Sequence, residues 1–533
     1  MKLPDWLSPL PDAQIMREVD RWAIEEQGVS GLSLMERAGA GVARAVERVA
    51  GSGPVAVVCG KGNNGGDGLV VARLLRDADR HVEVYCAAPP EEFTGDARAN
   101  LQRLPGDAPL RLDASPWDRD PPGGDRAPGS EHTAALTGAS LVVDAILGTG
   151  FQGEPRGEAR QAIEAINATD APIVSVDVPS GVDASTGEVS GAAVTAQVTV
   201  TLHAAKPGLW IRPGKAHAGE IERLDIGVPR GAPLDASIGL IEASVLELLP
   251  RRLASATKFT SGHVLVAGGS RGLTGAPQMT AMAAMRAGAG YVTACVPSSL
   301  QAIVAGATPE LMTRGMAEAE GAMATTAVAG VLEASERGGA LALGPGLGRS
   351  DGAFTFARLL AQDANVALVL DADALNAHAG ELGSLATRLA PTVLTPHAGE
   401  LGRLLGLDSH EIERARLEHV REAARQAGAV VVLKGDDTLV ADPSGMVAVS
   451  PGGSPALASA GTGDVLTGVI AALLAQGLEP FAAAAAGVWL HAEAGRRAAA
   501  RIGSAEGVIA SDVIAALPAS RGTPPPPGGR EGR

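Results

Sequence analysis

Gly461-Thr-Gly-Asp464 stands directly before the apolar run Val465–Ala475. The glycines predict a tight turn, and the apolar run predicts a helix that begins at this turn. Backbone N–H groups in the first turn of a helix lack helical partners and carry the positive end of its dipole, so the junction is suited to an anion. Asp464 would repel a phosphate there, which indicates that its carboxylate handles a proton. The structural alternative is that Asp464 caps the helix.

Short apolar strands alternate with helical segments on both sides of a weakly patterned region. This alternation predicts an α/β protein of two domains, each with a largely parallel sheet. The predicted domains cover residues 10–232 and 245–518, and a linker at 233–244 joins them. A Pro/Gly-rich insertion at about 105–132 and a disordered Pro/Gly-rich tail at 519–533 are also predicted.

The composition argues against several classes of protein. The chain has 533 residues, 46% of them hydrophobic, and a net charge of −16. That acidic balance argues against a nucleic-acid-binding surface or a polybasic membrane anchor. A run of about 20 apolar residues, which a bilayer crossing needs, is absent from the sequence. Three scattered cysteines without metal-type spacing, and no apolar signal segment at the start, predict a cytoplasmic protein.

Cys59-Gly-Lys-Gly-Asn-Asn-Gly-Gly-Asp-Gly68 follows the predicted strand Val55–Val58. The stretch matches neither the dinucleotide fingerprint Gly-x-Gly-x-x-Gly nor the P-loop. Its glycines still allow the backbone to approach an anion at the start of a helix. Asp67 would repel phosphate, and we interpret it as a helix cap or as a contact to ribose or nicotinamide. A plain turn is the structural alternative for the whole stretch.

Three oxygen-bearing side chains follow separate predicted strands at the same edge of the first sheet: Asn64, Asp144 and Ser180. Such hard donors suit a weakly hydrated cation such as K⁺. Asp177 ends an apolar strand and precedes Pro179, so its carboxylate is held at the sheet edge as the acid–base candidate of this half. A turn or loop cap is the alternative role for Asp177.

The motifs of the first half together resemble the NAD(P)H-hydrate epimerase family over about residues 10–230. The motifs are Met16…Asp20…Gly28, Leu34-Met-Glu…Ala38-Gly39, Gly62-Asn-Asn-Gly-Gly-Asp-Gly68, Val143-Asp-Ala-Ile-Leu-Gly-Thr-Gly150 and Asp177-Val-Pro-Ser-Gly-Val-Asp183. The resemblance implies a Rossmann-like three-layer domain that interconverts the R and S epimers of hydrated NADH and NADPH.

The same resemblance implies roles for individual residues. K⁺ would be held by Asn64, Asp144 and Ser180, and Asp177 would assist loss and return of the C6 hydroxyl at the nicotinamide. The dinucleotide would be contacted by Asn63, Asn64, Gly65, Gly66, Asp67, Gly148, Thr149, Gly150, Phe151, Gln152, Gly153 and Glu154.

Motifs at the ends of predicted strands recur in the second half. Lys434 with Thr438 offers a charge and a hydroxyl to the phosphates or ribose of a nucleotide. His397 could bind substrate, or it is a locally hydrogen-bonded histidine beside Pro396. The glycines of Gly344-Pro-Gly-Leu-Gly348 let a ligand approach the backbone closely.

Four of these motifs resemble the ribokinase-like superfamily and, within it, ADP/ATP-dependent NAD(P)H-hydrate dehydratase over about residues 245–518. They are Gly344-Pro-Gly-Leu-Gly348, Asp371-Ala-Asp-Ala-Leu375, Thr395-Pro-His-Ala-Gly-Glu400 and Ala460-Gly-Thr-Gly-Asp464. The likeness implies phosphorylation of the hydrate's C6 hydroxyl, with Asp464 accepting its proton, followed by loss of phosphate to restore NAD(P)H.

By this likeness the hydrate would be contacted by Ala276, Gly346, His397 and Asp464. The adenine nucleotide would be contacted by Lys434, Gly435, Asp436, Asp437, Thr438 and Gly463, and Mg²⁺ is expected with its phosphates. The chain departs from the family pattern at Thr257-Lys258-Phe259, where the family usually has His-Lys-Gly.

Taken together, the two halves predict a bifunctional repair enzyme, an isomerase fused to a lyase. The first domain would interconvert the hydrates, and the second would use ADP to dehydrate the S hydrate, giving NAD(P)H, AMP and phosphate. ADP is favoured over ATP as the donor, and both hydrates are expected substrates. Small molecules are the expected partners, with a homo-oligomer as a further expectation. The alternative is a ribokinase-like small-molecule kinase with a non-catalytic, nucleotide-binding first domain.

Overall fold

The structure, a computed structural model, describes residues 2–112, 136 and 138–522. They fall into two compact units, one formed mainly by Pro9–Ile238 and the other by Pro4–Ser8 with the chain from Gly239 onward. Each unit has one large sheet with helices packed against it, which confirms the predicted α/β class. Most of the predicted insertion at 105–132 and most of the predicted tail at 519–533 lie outside the described residues.

Seven parallel strands form the sheet of the first unit. Across the sheet their order is Leu110–Arg111, Val82–Cys86, Val55–Cys59, Leu141–Ala145, Ile173–Val176, Val198–Leu202 and Glu220–Leu224. The chain therefore builds outward from Val55–Cys59 in one direction and from Leu141–Ala145 in the other. Open α/β sheets bind ligands at such a switch point, outside the carboxyl ends of the strands.

The first sheet is covered on both faces. Alternate residues of its strand Val55–Cys59 belong to opposite hydrophobic clusters, with Val57 in one and Val58 in the other. This is the three-layer arrangement that buried parallel strands require. The helical segments of this unit are Ala13–Arg21, Trp22–Glu26, Gly31–Ala50, Asn63–Asp77, Pro90–Glu92, Gly95–Arg103, Gly157–Asn167, Pro207–Leu209 and Lys215–Ala218.

One helix of the first unit begins earlier than predicted. The apolar spacing predicts it from Leu69, whereas the structure has it over Asn63–Asp77. The glycines of its first turn serve close packing, because a Cβ on Gly65 would lie 1.6 Å from the carbonyl oxygen of Gly60. Asp67 therefore lies inside the helix, and the interpretation of Asp67 as its cap is wrong.

Eleven strands form the sheet of the second unit. Their order is Leu7–Pro9, Ile238–Ile241, Val447–Val449, Leu439–Ala441, Val430–Leu433, Thr392–Leu394, Ala367–Leu370, Ala340–Leu343, His263–Ala267, Tyr291–Pro297 and Met312–Met316. The strands from Val430–Leu433 to Met312–Met316 run parallel. The two strands after Val430–Leu433, Leu439–Ala441 and Val447–Val449, fold back as antiparallel neighbours. The switch point lies between His263–Ala267 and Ala340–Leu343.

The helical segments of the second unit cover both long and short stretches of the chain. The helix predicted over 409–428 is broken at Ala415, whose φ of −133° and ψ of 54° leave the helical region. None of the helices within the described residues combines the length and apolarity that a bilayer crossing needs. The segments are Ala243–Leu248, Gly275–Arg286, Ser298–Leu300, Gln301–Ala307, Thr325–Ala327, Val328–Ser335, Asp351–Asp363, Asp373–Ala377, Leu382–Thr387, Ala398–Leu405, Ser409–Arg414, Arg416–Ala427, Pro455–Leu457, Thr462–Ala475, Pro480–Ile502 and Ala510–Ser520, with a small hairpin of Glu318–Ala319 and Ala322–Met323.

The predicted linker at 233–244 contains a strand of the second sheet, Ile238–Ile241. Its partner is the strand Leu7–Pro9 at the start of the chain. The backbone N–H of Leu10 donates to the Ile238 carbonyl at 2.9 Å, and that of Glu242 donates to the Trp6 carbonyl at 3.0 Å. In sequence, the first unit thus lies between two strands that are paired neighbours in the second sheet.

Candidate active sites

A cavity of about 1050 Å³ lies at the switch point of the first sheet. Of the described residues predicted to contact a dinucleotide, Gly65, Gly66, Gly153 and Glu154 do not line it. Gly66 packs against Met35 instead, since a Cβ on this glycine would lie 2.7 Å from the methionine sulfur. The predicted residues that do line the cavity are Asn63, Asn64, Asp67, Gly148, Thr149, Gly150, Phe151, Gln152 and Asp177.

One hydrogen-bond network joins Asn64, Asp144 and Ser180. The Asp144 carboxylate is fully buried and accepts hydrogen bonds from the Ser180 hydroxyl at 2.5 Å and the Ser175 hydroxyl at 2.8 Å. Leu147 links Ser180 to Asn64: its N–H donates to Ser180 Oγ at 2.9 Å, and its carbonyl accepts from Asn64 Nδ2 at 3.0 Å. The three predicted metal ligands therefore lie together at the ends of separate elements.

The charge of Asp144 is poorly compensated within this network. Burial raises the pKa of the Asp144 carboxyl, and hydrogen bonds from Ser180, Ser175 and the Ile146 N–H lower it in part. Within the described part of the chain these donors are all neutral groups. A buried carboxylate is costly without a cationic partner. The donor set consists of hard oxygens, which suits an alkali cation.

Asp177 is held at the sheet edge in a left-handed conformation, with φ of 67°. Its carboxylate accepts hydrogen bonds from Lys206 Nζ at 2.5 Å and from the Thr149 hydroxyl at 2.5 Å. Burial would raise the pKa of Asp177, but the Lys206 ammonium and the hydrogen bonds outweigh burial and lower it. Asp177 is therefore ionised over the ordinary pH range.

Lys206 is a site residue that the sequence reasoning missed. Its side chain is only 1% exposed, and its ammonium also donates to the Thr201 hydroxyl at 3.1 Å and the Leu202 carbonyl at 2.9 Å. A buried lysine in a coil segment has no periodicity that reveals it. The signal available was its position, since Lys206 follows the strand Val198–Leu202 at the same edge as Asp177.

In the second unit, Lys434 and Asp371 form an ion pair at the ends of two strands. Lys434 Nζ lies 2.9 Å from Asp371 Oδ1 and 3.7 Å from Glu400 Oε2. Asp371 also accepts hydrogen bonds from the Thr395 hydroxyl at 2.9 Å and the Thr467 hydroxyl at 2.8 Å. Burial would lower the pKa of Lys434, but the carboxylates around it raise it, so the ammonium stays charged. Asp371 and Thr467 were not predicted as site residues.

Asp464 lies in the first turn of the helix Thr462–Ala475. The cap position belongs to Gly461, with φ of 88° and no side chain, so the cap alternative for Asp464 is wrong. Burial and the nearby Asp371 carboxylate raise the pKa of Asp464 to about 7, and Lys434 opposes that rise. Lys434 Nζ lies 3.7 Å from the position that a Cβ on Gly463 would take. An acid able to exchange a proton near neutral pH thus stands beside an uncapped helix N-terminus and a lysine.

His397 has the locally hydrogen-bonded role that was the alternative to substrate binding. Its Nδ1 accepts from the N–H groups of Gly399 at 3.0 Å and Glu400 at 3.3 Å, which caps the helix Ala398–Leu405. Burial lowers the pKa of His397, although Glu400 opposes the shift, so the imidazole is neutral near pH 7. The side chain is still 55% exposed, and this part of it is accessible to a ligand.

The glycines after the strand Ala340–Leu343 are required for close approach. Gly346 has φ of 64°, and a Cβ on it would lie 2.6 Å from the Leu273 carbonyl oxygen and 3.2 Å from the Cβ of Ala276. Gly346 and Ala276, both predicted to contact the hydrate, are thus neighbours. A Cβ on Gly344 would lie 1.9 Å from the Asp371 carbonyl oxygen, which ties this loop to the ion pair.

A buried ion pair supports the loop Lys434–Thr438. Asp437 is 0% exposed, and its carboxylate lies 3.0 Å from Nε of Arg416, which is itself 1% exposed. The Thr438 hydroxyl donates to the Gly435 carbonyl at 2.6 Å and closes the turn. Asp437 was expected to contact a nucleotide, but its side chain is committed to Arg416, and only its backbone is left for that contact.

The departure from the family pattern lies at the amino end of a strand. Thr257 and Thr260 close a small turn through hydrogen bonds of 2.9 and 3.2 Å, just before His263–Ala267. Phe259 packs edge-on against Tyr291, with ring centroids 5.8 Å apart. The predicted catalytic groups lie at the carboxyl edge of the sheet, whereas Thr257 and Phe259 precede the amino end of their strand.

Comparison with known proteins gives matches over nearly the whole chain. Residues 264–519 match a family model described as NAD(P)H-hydrate dehydratase, and residues 31–208 match one described as YjeF-related protein N-terminus. The bifunctional NAD(P)H-hydrate repair enzyme of Moorella thermoacetica is 42% identical, over 96% of this chain and 96% of that protein. Its counterpart from Salinibacter ruber is 39% identical, over 96% and 95% respectively.

A crystal structure of the ADP/ATP-dependent NAD(P)H-hydrate dehydratase from Bacillus subtilis, co-crystallised with ATP and Mg²⁺, is also similar. It is 30% identical, covers 52% of this chain and 94% of its own, and has a TM-score of 0.45. The full-length relatives confirm the predicted bifunctional repair enzyme and do not support the small-molecule kinase alternative. The chain belongs to the family of bifunctional NAD(P)H-hydrate repair enzymes.

Proposed function

We propose that the first site interconverts the R and S hydrates of NADH and NADPH and that the second site dehydrates the S hydrate at the expense of ADP. The observation that carries this proposal is Asp464, an acid with a pKa of about 7 beside an uncapped helix N-terminus and Lys434. A base and an anion site so close together fit transfer of a phosphoryl group to a hydroxyl.

At the first site, the cavity wall receives the dinucleotide. The predicted contacts Asn63, Asn64 and Asp67 lie at the start of a helix, and residues Gly148–Gln152 of the strand-end loop line the same cavity. The N–H groups at the start of that helix suit the pyrophosphate. Asp177, ionised by Lys206, faces the nicotinamide and stabilises the positive charge that develops when the C6 hydroxyl leaves.

K⁺ is the proposed cation of the first site. Asn64, Asp144 and Ser180 would hold it, together with the Leu147 carbonyl, since these three side chains and Leu147 are already joined in one network. Its charge would compensate the buried Asp144 carboxylate and lower the repulsion between this wall and a bound phosphate.

At the second site, Asp464 takes the proton from the C6 hydroxyl while that oxygen attacks the terminal phosphoryl group of ADP. The N–H of Gly463 and the Lys434 ammonium stabilise the charge on the transferring group. Mg²⁺, bound to the phosphates, would neutralise part of their charge. Phosphate then leaves C6 with the electron pair of the C–O bond, and loss of a proton from C5 restores the double bond of the reduced ring.

The remaining predicted contacts are assigned by their positions. Gly346 and Ala276 are neighbours and, with the exposed edge of His397, would receive the hydrate. The turn Lys434–Thr438 would receive the ribose and phosphates of the nucleotide, through backbone groups and the lysine. The proposed compartment is the cytoplasm, which agrees with three free cysteines among the described residues. The oligomeric state stays a prediction, which light scattering of the purified chain measures.

The test is recovery of NAD(P)H absorbance from purified R and S hydrates, with ADP and ATP in parallel. We expect both epimers to be consumed with ADP, the R form through the first site. An Asp177→Ala variant should convert the S hydrate at the wild-type rate and leave the R hydrate to its slow spontaneous epimerisation. No recovery from the S hydrate with either nucleotide would refute the dehydratase function. Equal recovery from R hydrate by Asp177→Ala would refute the epimerase assignment.

A further inference from the structure

Four ionisable side chains come together on the wall of the first cavity: Asp20, Asp67, Asp177 and Lys206. They come from four separate elements of the first unit. Asp67 is 7% exposed and Lys206 is 1% exposed, whereas Asp20 lies on an exposed turn of its helix. Three carboxyl groups, two of them buried, beside one buried ammonium cannot all be charged at little cost.

The single ammonium is fully engaged. Lys206 donates to the Asp177 carboxylate, the Thr201 hydroxyl and the Leu202 carbonyl, which uses all three of its N–H groups. Asp67 therefore lacks a cation at hydrogen-bonding distance among the described residues. Burial, and repulsion from Asp177 and Asp20, raise the pKa of Asp67 well above its usual range, and Lys206 opposes this only in part.

We propose that Asp67 is the acid that protonates the C6 hydroxyl as it leaves. Lys206 is a positioning residue in this proposal, because it keeps the neighbouring Asp177 carboxylate ionised. This inference rests on the proposed epimerase function of the same cavity. Asp67 is buried in the wall beside Asp177, and a carboxyl that keeps its proton there is suited to general acid catalysis.

The step balances without any further reactant. The C6–O bond breaks with its electron pair on oxygen, Asp67 supplies the proton, and water leaves. The lone pair of the ring nitrogen forms a double bond to C6, and the cation produced is stabilised by the Asp177 carboxylate. Water then adds to the other face of C6 and releases one proton to solvent, and Asp67 regains one proton from solvent. No net charge or proton is gained or lost in the cycle.

The test uses the full chain, so that the second site reports on folding. Asp67→Asn keeps the size and neutrality of the protonated acid but cannot give up a proton. We expect its kcat for epimerisation to fall by about 100-fold or more, with KM for the hydrate little changed and conversion of the S hydrate at the wild-type rate. Asp77→Asn, at the exposed far end of the same helix, is the matched control and should epimerise normally.

The pH profile separates a proton donor from a structural residue. An acid works while it is protonated, so wild-type epimerisation should decline at high pH as Asp67 ionises, and this decline should be absent in Asp67→Asn. Asp67→Glu, which keeps a proton, should recover part of the rate.

An Asp67→Asn variant that epimerises at the wild-type rate overturns the inference and leaves the epimerase function intact. Failure of the wild-type chain to exceed spontaneous epimerisation would instead overturn the proposed function itself.

Discussion

The two sites use the same parts but pair them differently. Each lies at the carboxyl ends of parallel strands, and each has a helix whose N-cap is a glycine, Gly62 in the first and Gly461 in the second. Each also has one lysine among several carboxyl groups, Lys206 fully buried in the first and Lys434 partly buried in the second. In the first site Lys206 bonds to Asp177 itself, whereas in the second Lys434 bonds to Asp371 and leaves Asp464 without that contact.

This difference shows how one lysine distributes charge among competing acids. In the first site the partner of the lysine, Asp177, is ionised, and the neighbouring acid Asp67 keeps its proton to a higher pH. In the second site that neighbour is Asp464, with a pKa raised to about 7. In the proposed mechanism, identical residue types thus stabilise a cation in the first unit and remove a proton in the second.

The largest expected effect comes from removing Asp464, the acid beside Lys434 that is not its ion-pair partner. Asp464→Asn should lower kcat for dehydration by about 100- to 10,000-fold, because the C6 hydroxyl then has no base. Steady-state assays with saturating ADP measure this loss, and epimerisation should be unchanged. Asp363→Asn, at the exposed end of a helix in the same unit, should retain full activity. A small loss in Asp464→Asn would show that Asp464 and Asp177 do not differ as proposed.

The pH profile of the wild-type chain tests the contrast directly. A base works when it is deprotonated, so dehydration should rise with pH and level off above about 7, the pKa of Asp464. Below that value the rate should fall about tenfold per pH unit, as expected for a single deprotonation. Saturating S hydrate and ADP isolate kcat. A dehydration rate that is flat between pH 5 and 8, roughly the range in which such groups titrate, would contradict the assignment.

Removing the partner of the second lysine should make the second site more like the first. Asp371→Asn deletes a charge that raises the pKa of Asp464 and leaves Lys434 able to interact with Asp464 more strongly. The pH midpoint of dehydration should therefore move below about 7, which is a smaller effect than loss of the base. Asp351→Asn, in the exposed first turn of a helix, should leave the midpoint in place. A midpoint that stays or rises in Asp371→Asn would refute the proposed effect of lysine pairing.

The smallest expected effect concerns the glycine caps that the two sites share. Gly461→Ala places a side chain at φ of 88°, with its Cβ 2.5 Å from the sulfur of Met279. A left-handed conformation costs a non-glycine residue about 1–2 kcal/mol, so Tm should fall by several degrees. Gly477→Ala has a similar φ of 90° and open space around it, and therefore controls for the backbone strain alone. Equal Tm values for the two variants would show that Met279 yields to the new side chain.

Much of the fold follows from local patterns that the sequence displays. Strands such as Val198–Leu202 and Thr392–Leu394 can be predicted with their observed bounds, because short runs of β-branched and apolar residues favour buried strands. The sequence also predicts the edges at which Asp144, Asp177 and Lys434 lie. These residues are at the ends of predicted strands, and the carboxyl ends of parallel strands share one edge of the sheet.

Features that depend on contacts between distant residues were not predictable in the same way. The helix over Asn63–Asp77 begins early because Gly65 fits against the Gly60 carbonyl, a contact that apolar spacing does not report. The Lys206–Asp177 pair joins residues 29 positions apart through side-chain reach across two strand ends. The ionisation of each acid depends on such pairs, so its chemistry could be assigned only with the structure.

The pairing of Leu7–Pro9 with Ile238–Ile241 has a consequence for how the molecule can be divided. A fragment that starts after residue 238 would lack the first strand of its own sheet, and the apolar ring of Trp6 that packs on Phe481 at 5.6 Å. A separately expressed second half is therefore expected to need the first few residues of the chain, joined to its amino end by a short loop. In the gene, the segment that encodes the epimerase unit is therefore an insertion within the segment that encodes the second unit.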